Sequence, residues 1–343
     1  MKKLLNTLYV TTADAYLRLD GETVVLQRDK ETIAQVPLHN LSGIVCFNYA
    51  GVSPALMGKC AEQNIELCFI SRKGDLLARV SGPVHGNVLL REKQFLLAAD
   101  PVRSIEPAKA FLQGKIYNAR WTLERVLRDH KERVNEPMLR EAIAVQKESL
   151  LKIDAADTIG SLMGVEGIAA KAYFSAFDEM VLRNKETFCF QDRNRRPPTD
   201  RVNALLSLTY SFLEHDIRGA IESVGLDPYV GFLHQKRPGR RSLALDLLEE
   251  LRAPLADRFV LTQINLGKIT PDDFVIKENG AVELQDTGWK KYLSAWQMKK
   301  QEEIQHPFLK EKIPWGLVAY AQALLFARWL RDDIDAYPPF FWK

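Results

Sequence analysis

The chain has 343 residues, 46% of them hydrophobic and 27% charged, with a net charge of +3. That length supports two units with at least one large core, and the composition is that of a globular chain rather than a disordered or fibrous one. No apolar run reaches the ~18 residues a membrane span requires, and Asn6 and Thr7 break the apolar start too early for a signal peptide. The expectation is a cytoplasmic protein without a membrane partner. The four cysteines, Cys46, Cys60, Cys68 and Cys189, show no CxxC spacing and read as reduced, buried thiols.

Residues 1 to about 85 read as strands. Alternation runs through Leu5–Val10, and Asp20-Gly21 between YLRL and ETVVLQ marks a tight hairpin. Short β-type runs follow at 32–36, 43–47, 65–70 and 76–80. One helix interrupts them, opened by Ser53 as N-cap and Pro54 at the first helical position. After Gly82-Pro83 and Gly86 the apolar spacing changes to the helical period. It predicts helices over roughly 87–98, 106–133, 137–152, 157–183, 198–223, 242–263, 286–303 and 313–332. A small hairpin at 274–284 turns on Asn279-Gly280. The fold class is therefore α+β: a small β-rich unit, 1–85, then a larger all-helical unit, 86–343.

Three residues of metal-ligand type stand out. Glu166 lies on a helix whose same-face neighbours are Leu162, Met163, Ala169, Ala170 and Tyr173. No basic residue offers it an i,i+4 partner, and an unpaired carboxylate on an apolar face is costly. His234 precedes a Pro238-Gly239 turn crowded by Lys236, Arg237, Arg240 and Arg241. The helix from Ser242 then gathers Asp246, Glu249 and Glu250 opposite a leucine stripe. Arg240 and Arg241 face the positive end of that helix's dipole, which an anion such as a phosphate would relieve. Two carboxylates and one imidazole suit Mg²⁺ or Mn²⁺ better than structural Zn²⁺, and the nitrogen favours Mn²⁺. No HExxH or cysteine ligand set argues for zinc.

A second basic stretch, RNRRPPTDRVNALLSLTYSFL, places Arg193, Arg195, Arg196 and Arg201 around a helix start, where guanidinium groups suit phosphates. Asn203, Ser207 and Tyr210 share a face of that helix. Arg91, Arg252, and Lys115 with Asn118 are further candidates. The residues alone leave blander readings open: a solvated acidic face, a structural histidine and a solvated basic loop. Two functional alternatives also stand, a non-catalytic DNA-binding scaffold and a metallophosphoesterase of small molecules.

Taken together, GVEGIAAKAYF, RNRRPPTDRVNALLSLTYSFL and GLDPYVGFLHQKRPGRRSLALDLLEELRAPLADRFV, in that order, resemble the CRISPR-associated integrase, the larger of the two universal spacer-acquisition proteins. The resemblance spans essentially the whole chain, and the third segment is most similar to the subtype I-C branch. It implies a metal-dependent DNA endonuclease and integrase whose ligands fall on Glu166, His234 and Glu249, with Asp246 as a second acid of the third segment. Mg²⁺ or Mn²⁺ would be the cofactor. The DNA contacts would fall on Arg91, Arg195, Arg196, Lys236, Arg237, Arg240, Arg241 and Arg252. The partners implied are double-stranded DNA (a captured fragment and the CRISPR repeat), a second copy through the β-rich unit, and a small ferredoxin-like protein completing a heterohexamer.

Overall fold

The computed structural model describes residues 6–343 apart from 11, 13, 48–50, 64, 71–75 and 81–87. The turn at Gly82-Pro83 and Gly86, expected as the unit boundary, lies outside the described residues. Two compact units form: Met1–His85 with Tyr292–Glu302, and Gly86–Lys291 with Glu303–Lys343.

The first unit carries two four-stranded sheets. One holds β1 (Asn6–Val10), β5 (Leu41–Phe47), β7 (Glu66–Ile70) and β8 (Leu76–Val80) in that order. β1, β5 and β7 pair parallel, and β8 closes the edge antiparallel. The other is ordered β4 (Glu31–Pro37), β3 (Thr23–Arg28), β2 (Tyr16–Asp20) and β6 (Gly51–Val52). Asp20 pairs with Thr23 across a two-residue turn in which Gly21 takes φ +56°, as the sequence signal required. Helix α1 (Pro54–Glu62) starts where expected, the Ser53 hydroxyl accepting from Leu56 N–H at 3.3 Å. Leu17, Val24, Leu38, Ile44, Leu56, Cys60 and Leu67 make the core. Cys46, Cys60 and Cys68 are buried thiols, as expected; Cys189, in the second unit, is exposed, because it lies in an irregular stretch between buried Phe188 and Phe190.

The second unit is helical: α2 (Val88–Ala99), α3 (Ile105–His130), α4 (Glu136–Asp154), α5 (Ile159–Ser175), α6 (Arg201–Ser223), α7 (Ser242–Leu251), α8 (Arg258–Asn265), the first part of α9 (Asp286–Gln301) and α10 (Trp315–Leu330). Two small hairpins punctuate it, β9 (Phe274–Ile276) with β10 (Val282–Leu284), and β11 (Glu303–Gln305) with β12 (Lys312–Pro314). No helix of the described residues is long and apolar enough to cross a membrane.

Capping fixes the helices that carry the site. Thr158 and Ser161 form a reciprocal capping box at the start of α5, and the Asp200 carboxylate accepts from Asn203 N–H at 2.7 Å at the start of α6. The single helix expected over 242–263 is in fact α7, a π-helical stretch at Arg252–Asp257, and α8. Pro254 is the cause. It has no N–H for the Glu250 carbonyl one turn earlier, and Asn118 Nδ2 of α3 donates to that carbonyl instead, at 2.7 Å. The helix expected to reach 303 stops at Gln301, and Glu303 enters β11.

Candidate functional site

The long helix α3 packs against α4, α5 and α7, so residues distant in sequence meet on its buried face. Lys115 lies there, and its ammonium hydrogen-bonds Glu166 of α5 while contacting Glu249 Oε2 of α7 at 2.8 Å. Glu166 therefore does have a basic partner; it comes from another helix rather than from the next turn. Glu249 Oε1 also pairs with Arg252 at 3.1 Å, and His234 Nε2 stands 3.9 Å from the same oxygen. Two of the three residues singled out in the sequence, Glu166 and Glu249, thus share the Lys115 ammonium, and the third, His234, stands beside the other oxygen of Glu249.

The acids of α7 are not solvated. Asp246, Glu249 and Glu250 are all buried, each 3% exposed or less, and each has a different task. Asp246 is fully committed: Oδ2 accepts from Phe232 N–H at 2.7 Å, and Oδ1 accepts from His234 N–H at 2.8 Å and from His234 Nδ1 at 2.7 Å. A carboxylate only accepts, so Nδ1 carries a proton and Nε2 is the ring nitrogen turned toward Glu249. Asp246 is thus a positioning residue rather than a ligand, in the arrangement that orients metal-binding imidazoles. Gly231 brings this loop onto α7: a Cβ there would lie 2.5 Å from the Ser242 carbonyl carbon and 2.7 Å from Leu243 N.

Burial pushes the Glu249 carboxyl up, but the opposing pull of Arg252, Lys115 and His234 prevails and holds it down at about 2. Lys115 reaches its Oε2 at 2.8 Å and Arg252 its Oε1 at 3.1 Å. An ionised, buried carboxylate, a second carboxylate linked to it through Lys115 and an oriented imidazole form a donor set that suits a divalent cation of the Mg²⁺ or Mn²⁺ kind. As they stand, no three His, Cys, Asp or Glu side chains among the described residues converge closely enough to hold one ion. The Lys115 ammonium lies between the two carboxylates.

The basic residues separate into two groups. Arg195, Arg196, Lys236 and Arg237 are exposed, while Arg91 and Arg240 are half-buried. Arg241, Arg252 and Arg193 serve the interior instead. Arg241 Nη1 makes a bidentate bond to Glu214, at 2.8 and 2.5 Å. The Pro228 carbonyl accepts from Leu243 N–H in the first turn of α7 at 3.0 Å. Within the chain, Glu214 pairs with Arg241 and the Pro228 carbonyl satisfies a first-turn N–H, which eases the conflict foreseen at this helix start. Arg252 pairs with Glu249 and lies over the Tyr210 ring at 4.9 Å. Arg193 donates to Asn203 Oδ1 at 2.7 Å and Ser207 Oγ at 3.1 Å, which accounts for the polar face of α6.

Tyr210 completes that face by joining α5. Its hydroxyl donates to Asp257 at 2.5 Å, and Tyr173 donates to the same carboxylate at 2.9 Å. Burial raises the Asp257 carboxyl to about 6 against these bonds. A folded-state value above the unfolded 3.8 means the folded chain holds this proton more tightly, so stability falls as pH rises from 3.8 through about 6. Asp257→Asn removes that loss. Its unfolding free energy relative to the unaltered chain should rise by about 2 kcal/mol between pH 4 and pH 7, measured by urea titration at each pH; a constant difference would refute the assignment.

Sequence reasoning had named Lys115 only as one candidate among several basic residues. Its place beside Gly114 and Asn118 on an otherwise apolar face was the available signal, but its two acidic partners are remote in sequence.

The family described as CRISPR associated protein Cas1 matches residues 8–298. The CRISPR-associated endonuclease Cas1 1 of Chlorobaculum tepidum is 48% identical over 343 residues, covering 100% of both chains. Among solved structures, a casposase bound to integration product aligns with a TM-score of 0.84 at 24% identity, over 98% of this chain and 93% of that one. A Cas6-RT-Cas1–Cas2 complex aligns at 0.82 and 23% identity, over 100% of this chain and 36% of that one. These two likenesses establish the fold.

Proposed function

The chain belongs to the Cas1 family of CRISPR-associated endonucleases, and from that premise we propose that Glu166, His234 and Glu249 hold a divalent cation, Mg²⁺ or Mn²⁺, at which DNA strands are joined and cut during spacer acquisition. The meeting of Glu166 and Glu249 on one ammonium, with His234 Nε2 3.9 Å from the second oxygen of Glu249, supports the reading; the three come from α5, the 228–241 loop and α7. When bound, such an ion polarises a scissile phosphate and stabilises the leaving 3′ oxygen. Asp246 keeps His234 Nε2 turned toward Glu249. Arg195, Arg196, Lys236 and Arg237 meet backbone phosphates, which makes DNA affinity salt-dependent and largely independent of sequence. The nucleophile is the 3′-OH of a captured fragment; with water in its place the same site is a nuclease.

The β-rich unit, residues 1–85, serves as the surface joining two copies, and a small ferredoxin-like protein bridges two such pairs into a heterohexamer. The third segment's similarity to the subtype I-C branch supports placing the chain there. The basic residues spread over several elements favour a polymeric substrate over a small phosphodiester. The test combines the purified chain, its small partner, a fragment with free 3′-OH ends and a repeat-containing plasmid. Joined product should form with Mn²⁺ or Mg²⁺ and vanish in EDTA, while DNA binding persists. Equal joining in EDTA would remove the metal from the reading, and preference for a small phosphodiester over branched DNA would remove the integrase.

A further inference from the structure

We propose that Lys115 is a resident counter-cation: its ammonium holds Glu166 and Glu249 together in the absence of a divalent ion, and leaves them when the ion is bound. The inference rests on the metal reading of this site and adds to it a residue that reading does not contain. Two carboxylates, one of them 3% exposed, need positive charge between them to stay ionised and close together. A single ammonium, 14% exposed, supplies it. Its 2.8 Å contact with Glu249 Oε2 is one that an ion of higher charge can take over. Arg252 stays on the other oxygen, Oε1, and keeps Glu249 partly neutralised while Lys115 exchanges.

Lys115 has a way out: its side chain is 14% exposed, and a lysine's four flexible methylenes let the ammonium swing toward solvent while the stem stays on the apolar wall of Ala119, Ala170 and Phe174. Lys115 has a consequence for loading. A divalent ion has to displace two ion pairs, so the lysine lowers the affinity for metal while keeping the unloaded site assembled. The ion that enters is doubly charged and takes three donors, which lets it prevail over one ammonium.

The test reads metal binding and lysine accessibility rather than turnover. Mn²⁺ affinity, measured by electron paramagnetic resonance, should be about 10-fold or more tighter in Lys115→Met than in the unaltered chain, because no ion pair has to be broken. In EDTA that variant should melt lower than the unaltered chain, and Mn²⁺ should raise its melting temperature by the larger amount. The unaltered chain needs no substitution for the second measurement: acylation of Lys115, followed by mass spectrometry, should be slow in EDTA and faster with Mn²⁺. Unchanged acylation, or Lys115→Met binding Mn²⁺ no more tightly, overturns the exchange while leaving the metal site standing. If Mn²⁺ binding is unaffected by Glu249→Gln, the metal reading itself fails, and the counter-cation role fails with it.

Discussion

Glu166→Ala is expected to lower strand joining by about 10³-fold or more while DNA binding changes less than about twofold. The residue sits on α5 with its side chain 21% exposed, so its removal opens no core cavity and strips no buried hydrogen bond except that of Lys115. Folding should therefore survive. What is lost is one of two carboxylates facing a common cation, and with it the negative charge that draws a divalent ion. The lysine is left with Glu249, which Arg252 already pairs on its other oxygen, so the remaining carboxylate needs no further cation. The substitution thus removes a ligand and also satisfies the remaining one, so raising Mn²⁺ should restore little activity. The exposed Arg195, Arg196, Lys236 and Arg237 are untouched, which keeps phosphate contacts and salt dependence as they were. Joining assays and filter binding on the same preparation separate the two effects. Joining that persists within tenfold in Mn²⁺ would exclude Glu166 from the chemistry.

Which parts of this arrangement the sequence could disclose follows from their range. Ser53-Pro54, Thr158 and Asp200 act within four residues, and each caps a helix that periodicity placed. Asp20-Gly21 acts across one turn and set the β2–β3 register. Glu166 was conspicuous because a carboxylate on an apolar helical face lacks a local partner; the partner that the fold supplies, Lys115, is 51 residues away and no periodicity points to it. The same limit applies to Arg241. Its conflict with the α7 dipole was visible locally, but the carboxylate that resolves it, Glu214, lies on another helix. The apolar period over 242–263 predicted one helix and passed over Pro254, where the helix breaks; the donor that makes the break tolerable, Asn118, could be recognised only once α3 lay against α7. The acidic face of α7 misleads for a related reason: three acids in a row suggest solvent until the C-terminal segment is seen to cover one of them.

That covering is the basis of the largest expected stability effect, Glu250→Ala. Glu250 is fully buried one residue beyond Glu249 and acts as the anchor for the end of the chain. Its carboxyl accepts from Tyr337 OH at 2.7 Å, Gln322 Nε2 at 2.8 Å and Phe340 N–H at 2.8 Å. Asn118 secures the same segment from α3, donating to the Phe340 carbonyl at 2.6 Å and accepting from Trp342 N–H at 2.9 Å. Gly114 makes room for the arrangement, since a Cβ there would stand 2.9 Å from Glu250 Cγ and 3.4 Å from Pro339 Cβ. Alanine at 250 strands three buried donors and opens a gap, and the loss should reach about 3–5 kcal/mol. Glutamine retains a carbonyl acceptor and the volume, and should lose less than about 1.5 kcal/mol. Burial lifts the Glu250 carboxyl to about 8 despite its hydrogen bonds, so a neutral side chain is not foreign to the site. Urea denaturation gives the ranking, and limited proteolysis of residues 331–343 gives the location: the alanine variant should be cut there first, the glutamine variant at nearly the unaltered rate. Because α7 carries Glu249 in the adjacent position, release of the segment should also reduce Mn²⁺ affinity. An alanine variant as stable as the unaltered chain would mean that the C-terminal segment is held without Glu250, by Asn118 and by the contacts of Phe340 with Trp315 and of Tyr337 with Phe111.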